Sequence, residues 1–192
     1  MDNVSILKIY YLFMMADGEC TEAEIEKLNY IALNMGASRN EREDAIAYCT
    51  HSISMLEKEQ GDAMQPKWKN VITILKRILS PHKDTARYYQ IVNLRADGKE
   101  KKKVLWNIVN LVYADSNYEE SENEVVQWFV KEMSINQIVA FEFLDSAECM
   151  ARLTEKKEWL KTTNKSYDEI NAVITKIDDD IVSDVHDCLA TA

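Results

Sequence analysis

Met15-Ala16-Asp17-Gly18-Glu19-Cys20-Thr21-Glu22-Ala23-Glu24-Ile25-Glu26 reads as the end of one helix, an acidic turn and the start of the next. The pattern returns 98 residues later as Tyr113-Ala114-Asp115-Ser116-Asn117-Tyr118-Glu119-Glu120-Ser121-Glu122-Asn123-Glu124. At that single offset Ala16, Asp17, Glu22, Glu24, Glu26 and Met35 meet Ala114, Asp115, Glu120, Glu122, Glu124 and Met133. Apolar residues flank both turns at matching places, which favours a duplicated helix–turn–helix unit over coincidence.

Working outward, Ile6, Ile9, Tyr10 and Phe13 recur at helical spacing and predict an amphipathic first helix from Val4 to Ala16. Asp17-Gly18 ends it, because glycine readily enters the left-handed region. Thr21-Glu22-Ala23-Glu24 is a capping box opening a second helix through Ile25, Leu28, Ile31 and Met35, which stops at Gly36. Ser38-Arg39-Asn40-Glu41 opens a third in the same way. Gly61 to Gln65 reads as a loop, with Pro66 in the first turn of a helix through Val71, Ile74, Leu75 and Ile78. A short helix is predicted over Thr85–Leu94, before Asp97-Gly98. The second repeat then runs through Val104, Ile108 and Leu111, across the turn, through Val125, Phe129 and Met133, and from Asn136 to about Leu153. Ser166-Tyr167-Asp168-Glu169 caps a tail helix carrying Ile170, Val173, Ile174, Ile177, Ile181, Val185 and Leu189 on one face.

Only four Gly and two Pro in 192 residues argue against an all-β chain. The expected fold is all-α: a single helical-bundle domain of about nine helices, built from two three-helix repeats with pseudo-twofold symmetry. Its parts are repeat one (1–59), a basic helical segment (60–103), repeat two (104–160) and a C-terminal amphipathic helix (166–190). No apolar run approaches the roughly 20 residues that cross a bilayer, and Met1 to Lys8 lack the features of a signal peptide. Cys20, Cys49, Cys149 and Cys188 form no CxxC pair, which suits small core residues in a reducing cytoplasm rather than zinc ligation.

The net charge of −10 is unevenly placed. Gln60 to Lys103 holds eleven basic residues against four acids and stands at +7, so the remainder carries −17. Lys99, Lys101, Lys102 and Lys103 close that segment, and with Ile174, Ile177, Ile181 and Val185 of the tail they are the candidate partner-binding residues. Binding of phosphate or nucleic acid is the competing use of the basic segment. The negative majority of the chain opposes nucleic acid over a Debye length of about 8–10 Å.

The acidic turns invite a calcium-loop reading. With Asp17 at loop position 5, Glu24 falls at position 12, where a bidentate ligand belongs. Positions 1 and 3 would then be Phe13 and Met15, or Leu111 and Tyr113, none of which is a carboxylate or amide ligand. An EF-hand is rejected on that ground. Asp17, Glu22 and Glu24 at the first turn, or Asp115, Glu120 and Glu122 at the second, are left as candidates for a less regular divalent-cation site. The competing reading is capping, since carboxylates in a first turn favour the helix dipole by about 0.3–1 kcal/mol each. His51, His82 and His186 form no HExxH, and neither a GxSxG elbow nor a glycine-rich phosphate loop occurs, so no enzyme is expected.

Ala16-Asp17-Gly18-Glu19-Cys20-Thr21-Glu22-Ala23-Glu24, followed by Ile25, Leu28 and Met35-Gly36, resembles the TerB-like (tellurite-resistance) helical family. Ala114-Asp115 to Glu122 resembles the same signature, with Ser116 in place of glycine. The resemblance covers about 60 residues and departs from the family in its 98-residue offset and its extra tail helix. It implies an all-helical module with two acidic turns, divalent-metal binding through Asp17, Glu24, Asp115 and Glu122, and a place in membrane-proximal stress-response complexes, with related modules in co-chaperone and phage-defence contexts. The resulting expectation is a protein-interaction module. A divalent-metal sensor is the first alternative, and phosphate or nucleic-acid binding the second.

Overall fold

The computed structural model describes residues 1–60, 65–80, 97–116 and 118–191. Among these the chain forms eight α-helices and no strand: α1 (Asn3–Met14), α2 (Glu22–Asn34), α3 (Arg39–Gln60), α4 (Lys67–Leu79), α5 (Gly98–Val112), α6 (Glu120–Glu132), α7 (Gln137–Lys161) and α8 (Tyr167–Thr191). The fold is all-α. No helix among the described residues is long and apolar enough to cross a membrane. The helix predicted over 85–94, most of the loop at 61–65 and the side chain of Leu189 lie outside the described residues.

Two compact units divide the chain, Met1–Ile135 and Asn136–Ala192. In the N-terminal unit α1 is the central helix and packs on α2, α3, α4, α5 and α6. Leu7, Ile9, Tyr10, Leu12, Phe13 and Met14 are all buried, so α1 is covered nearly all round, where the sequence pattern suggested one apolar face. α5 is similar, burying Val104, Leu105, Ile108, Val109, Leu111 and Val112. Phe13 of α1 meets Phe129 of α6 edge-to-face, with ring centroids 5.6 Å apart and planes at 87°. Pro66 sits one place earlier than read, as the N-cap of α4.

The local structure recurs at the sequence offset. α2 starts at Glu22 and α6 at Glu120, they end at Asn34 and Glu132, and α3 and α7 start at Arg39 and Gln137. Among the described residues the four positive φ angles fall into two pairs at the same spacing, Gly18 (+95°) with Ser116 (+63°) and Gly36 (+71°) with Ser134 (+51°). After α2, Gly36 N–H donates to Leu33 O and Ala37 N–H to Ala32 O, each at 2.9 Å. After α6, Ser134 N–H donates to Lys131 O at 3.1 Å and Ile135 N–H to Val130 O at 2.9 Å. Both ends are Schellman caps, which satisfy otherwise orphaned carbonyls.

In the C-terminal unit α7 and α8 pack together as a helical hairpin joined at Thr162–Ser166. Lys157 of α7 pairs with Asp178 of α8. The capping box read at Ser166 is present: Ser166 N–H and Oγ both donate to Glu169 Oε2, at 3.1 and 2.8 Å. α7 runs to Lys161 instead of stopping near Leu153. Nothing breaks it, because Glu155 to Glu158, Leu160 and Lys161 are good helix formers and Lys161 pairs with Glu158 one turn back.

Candidate functional site

Each acidic turn places one carboxylate at the third residue of the helix it opens. At α2, Thr21 N–H and Oγ1 donate to Glu24 Oε2 at 2.7 and 2.9 Å, and Glu24 N–H donates to Thr21 Oγ1 at 3.3 Å. This is the capping box expected from the sequence. At α6 the same place is taken by Glu122, whose Oε2 accepts from Glu119 N–H at 2.8 Å. Asp17 Oδ1 accepts from Glu19 N–H at 2.8 Å and tightens the first turn. Ser116 adopts the left-handed conformation despite its side chain, so a positive φ is kept at the position where the first turn has Gly18.

Glu24 and Glu122 are only 4% exposed. Burial, and then the charges of Asp115 and Asp17, raise Glu24 above the usual carboxylate range, against the hydrogen bonds from Thr21. Glu122 is pushed up to about 8, first by burial and then by Glu24, Asp17 and Asp115, with the Glu119 amide opposing. Four of the six candidate ligands, Asp17, Glu24, Asp115 and Glu122, are therefore within electrostatic reach of one another. Glu22 and Glu120 are exposed on their first turns. Among the described residues no group of three or more His, Cys, Asp or Glu side chains is arranged to hold a metal ion.

The surroundings are chemically quiet. Burial, followed by the charges of Glu24 and Asp17, pushes the Cys20 thiol up to about 11, so it is a poor nucleophile at neutral pH. Tyr118 stacks on Tyr113 at 4.9 Å and donates to Asn123 Oδ1 at 3.1 Å. Burial, then Tyr113 and Glu122, raise its phenol above the ordinary value.

The candidate partner-binding residues are divided. Lys101 Nζ donates to Met133 O at 3.0 Å and so caps the C-terminus of α6. Lys102 is half-buried, and Lys99 and Lys103 are exposed. Along α8, Ile177 is buried, and Ile174, Ile181 and Val185 are half-buried. Periodicity alone did not reveal Lys67, whose Nζ donates to Gly18 O at 3.3 Å. A Cβ on Gly18 would lie 2.0 Å from Lys67 Cδ, so a lysine of the basic segment covers the first acidic turn. The separation of 49 residues hides that contact from any local pattern. No family model, curated protein or solved structure matches the chain.

Proposed function

We propose that this chain is a TerB-like, non-enzymatic module that works by binding a protein partner, as an accessory subunit of a bacterial stress-response or phage-defence complex. The observation that carries the reading is the exposed aromatic surface of the C-terminal unit. Trp159 is 61% exposed and Tyr167 78%, at the end of α7 and the start of α8. Large aromatic side chains left in water favour association, because burying each contributes area at little conformational cost. Shared helix boundaries and paired positive φ angles at the 98-residue offset support a module built from two three-helix repeats with pseudo-twofold symmetry.

A photo-crosslinking residue placed at 159 or 167 in the full chain tests the partner reading in cells. The expected result is a discrete adduct from either position and none from the exposed Lys58. Absence of adducts at 159 and 167, or the same adducts from all three positions, overturns it.

The mutual electrostatic influence of Asp17, Glu24, Asp115 and Glu122 motivates a second reading, a divalent-cation sensor, although among the described residues no three carboxylates stand arranged to ligate an ion. A cation would neutralise the repulsion that burial intensifies. A cation bound to the folded chain alone at 100 times its dissociation constant adds about 2.7 kcal/mol of stability. Melts in calcium, magnesium, manganese or zinc against chelator test this, and an unmoved midpoint with all four removes the reading.

A further inference from the structure

The groove between α2 and α5 holds chemistry that neither the acidic turns nor the C-terminal hairpin uses. Lys27, Tyr30 and Asn34 follow one another along α2 at helical spacing, and Lys103, Trp106 and Asn110 do so along α5. The two facing ridges line a half-open cavity of about 260 Å³. Both helices belong to the N-terminal unit and pack on each other.

The chain holds 33 acids against 23 bases, yet among the described residues neither Lys27 nor Lys103 has a carboxylate within ion-pair distance. Lys27 is half-buried, and burial lowers its pKa from the ordinary lysine value. A partly desolvated ammonium without a counter-charge is costly, and an anion entering the groove would offset that cost. The α5 side is held in place: Asn110 Nδ2 donates to Trp106 O at 2.9 Å, and the neighbouring Asn107 Nδ2 donates to Tyr10 Oη at 2.8 Å. Tyr30 stands exposed at the lip, and the Trp106 indole is almost buried beside the cavity. Cations, flat rings and fixed amides therefore converge on a space just below the range of about 300–1,000 Å³ usual for ligand sites. That size suits a small molecule and not a polymer.

We propose that the α2–α5 groove binds a small planar organic anion, its phosphate or carboxylate head held by Lys27 and Lys103 and its ring lying against Tyr30 and Trp106. The amides of Asn34 and Asn110 supply polar edges for ring heteroatoms. This site is independent of the partner-binding surface around Trp159 and Tyr167.

Calorimetric titration of the full chain with adenosine monophosphate, 4-hydroxybenzoate and inorganic phosphate tests it. At least one ringed anion is expected to bind with a Kd below about 1 mM, and inorganic phosphate at least about tenfold more weakly. The nucleotide alone binding identifies a phosphate head, and the benzoate alone a carboxylate. Lys27→Met and Lys103→Glu should each weaken binding by about tenfold or more, whereas Lys58→Met, exposed and outside the groove, leaves it unchanged. Lys103 is exposed, so Lys103→Glu decides the matter even if Lys27→Met fails to fold. Three results overturn the proposal: neither ringed anion binding with a Kd below about 1 mM, inorganic phosphate binding as tightly as the ringed ligand, or affinity surviving Lys103→Glu.

Discussion

Glu24 and Glu122 occupy the third position of helices that begin 98 residues apart, and the charge of the first reaches the buried carboxyl of the second. Each also accepts a backbone amide of its own cap. Helix initiation at the two turns is thereby coupled to a local charge problem. The cap requires an acceptor oxygen at this position, and burial disfavours the charge of the carboxylate that supplies it.

That coupling sets a pH dependence. Glu122 titrates near the ordinary value of about 4.3 when unfolded and at about 8 when folded. Between those values the folded chain binds more protons, so the group's contribution is fully present below the unfolded pKa. It is lost as pH rises through the folded pKa, by up to about 1.4 kcal/mol per pH unit. Melting of the native chain should fall from about pH 5 to about pH 9, and Glu122→Gln, whose amide oxygen can still accept from Glu119, should flatten that fall. Equal slopes for the two proteins would contradict the assignment.

Ser134 and Gly36 carry the same Schellman geometry, but only the serine has a Cβ to strain it. Left-handed backbone costs an L-residue roughly 1–2 kcal/mol, less the extra unfolded-state freedom of glycine. Ser134→Gly should therefore stabilise the chain by about 0.5–1 kcal/mol. Gly36→Ala should destabilise it by about 1 kcal/mol through φ alone, since nothing lies within 4 Å of the added Cβ. Urea denaturation of both variants checks the pair. A Ser134→Gly variant less stable than the parent would show that the serine hydroxyl contributes more than its strain costs.

Much of this geometry is legible in the chain because capping is local chemistry. Thr21 with Glu24, Ser38 with Glu41 and Ser166 with Glu169 each lie three residues apart, and all three pairs form as read. The bounds of α2 were equally readable, with Thr21 at one end and Gly36 at the other. Non-local facts were not. Composition could not show that α1 is covered all round, because an apolar helix with a few polar residues looks amphipathic until its five neighbours are placed. Lys67 over Gly18, Lys101 on Met133 O and the approach of the two acidic turns depend on tertiary packing across 32 to 49 residues or more.

Thr21 is the more exchangeable half of its box. Thr21→Ala removes the hydroxyl that accepts from Glu24 N–H and donates to Glu24 Oε2, and should cost about 1 kcal/mol. Thr21→Ser should restore most of it, which separates the lost cap from lost methyl packing. Equal destabilisation of the alanine and serine variants in thermal melts would assign the effect to the methyl group.

Phe13 and Phe129 join α1 and α6 within the N-terminal unit, and both side chains are fully buried. Truncating either to alanine removes the transfer free energy of a ring and leaves a cavity, so each change should cost about 3–5 kcal/mol. The edge-to-face contact adds about 0.5–1.5 kcal/mol beyond burial, because the positive ring edge meets the negative face. A double-mutant cycle isolates that contribution, since the doubly truncated chain loses the contact only once. Phe13→Leu and Phe129→Leu are the milder pair if the alanine variants do not fold. Their combined loss should fall short of the sum of the two single losses, and strict additivity would show that the rings act only through the area they bury.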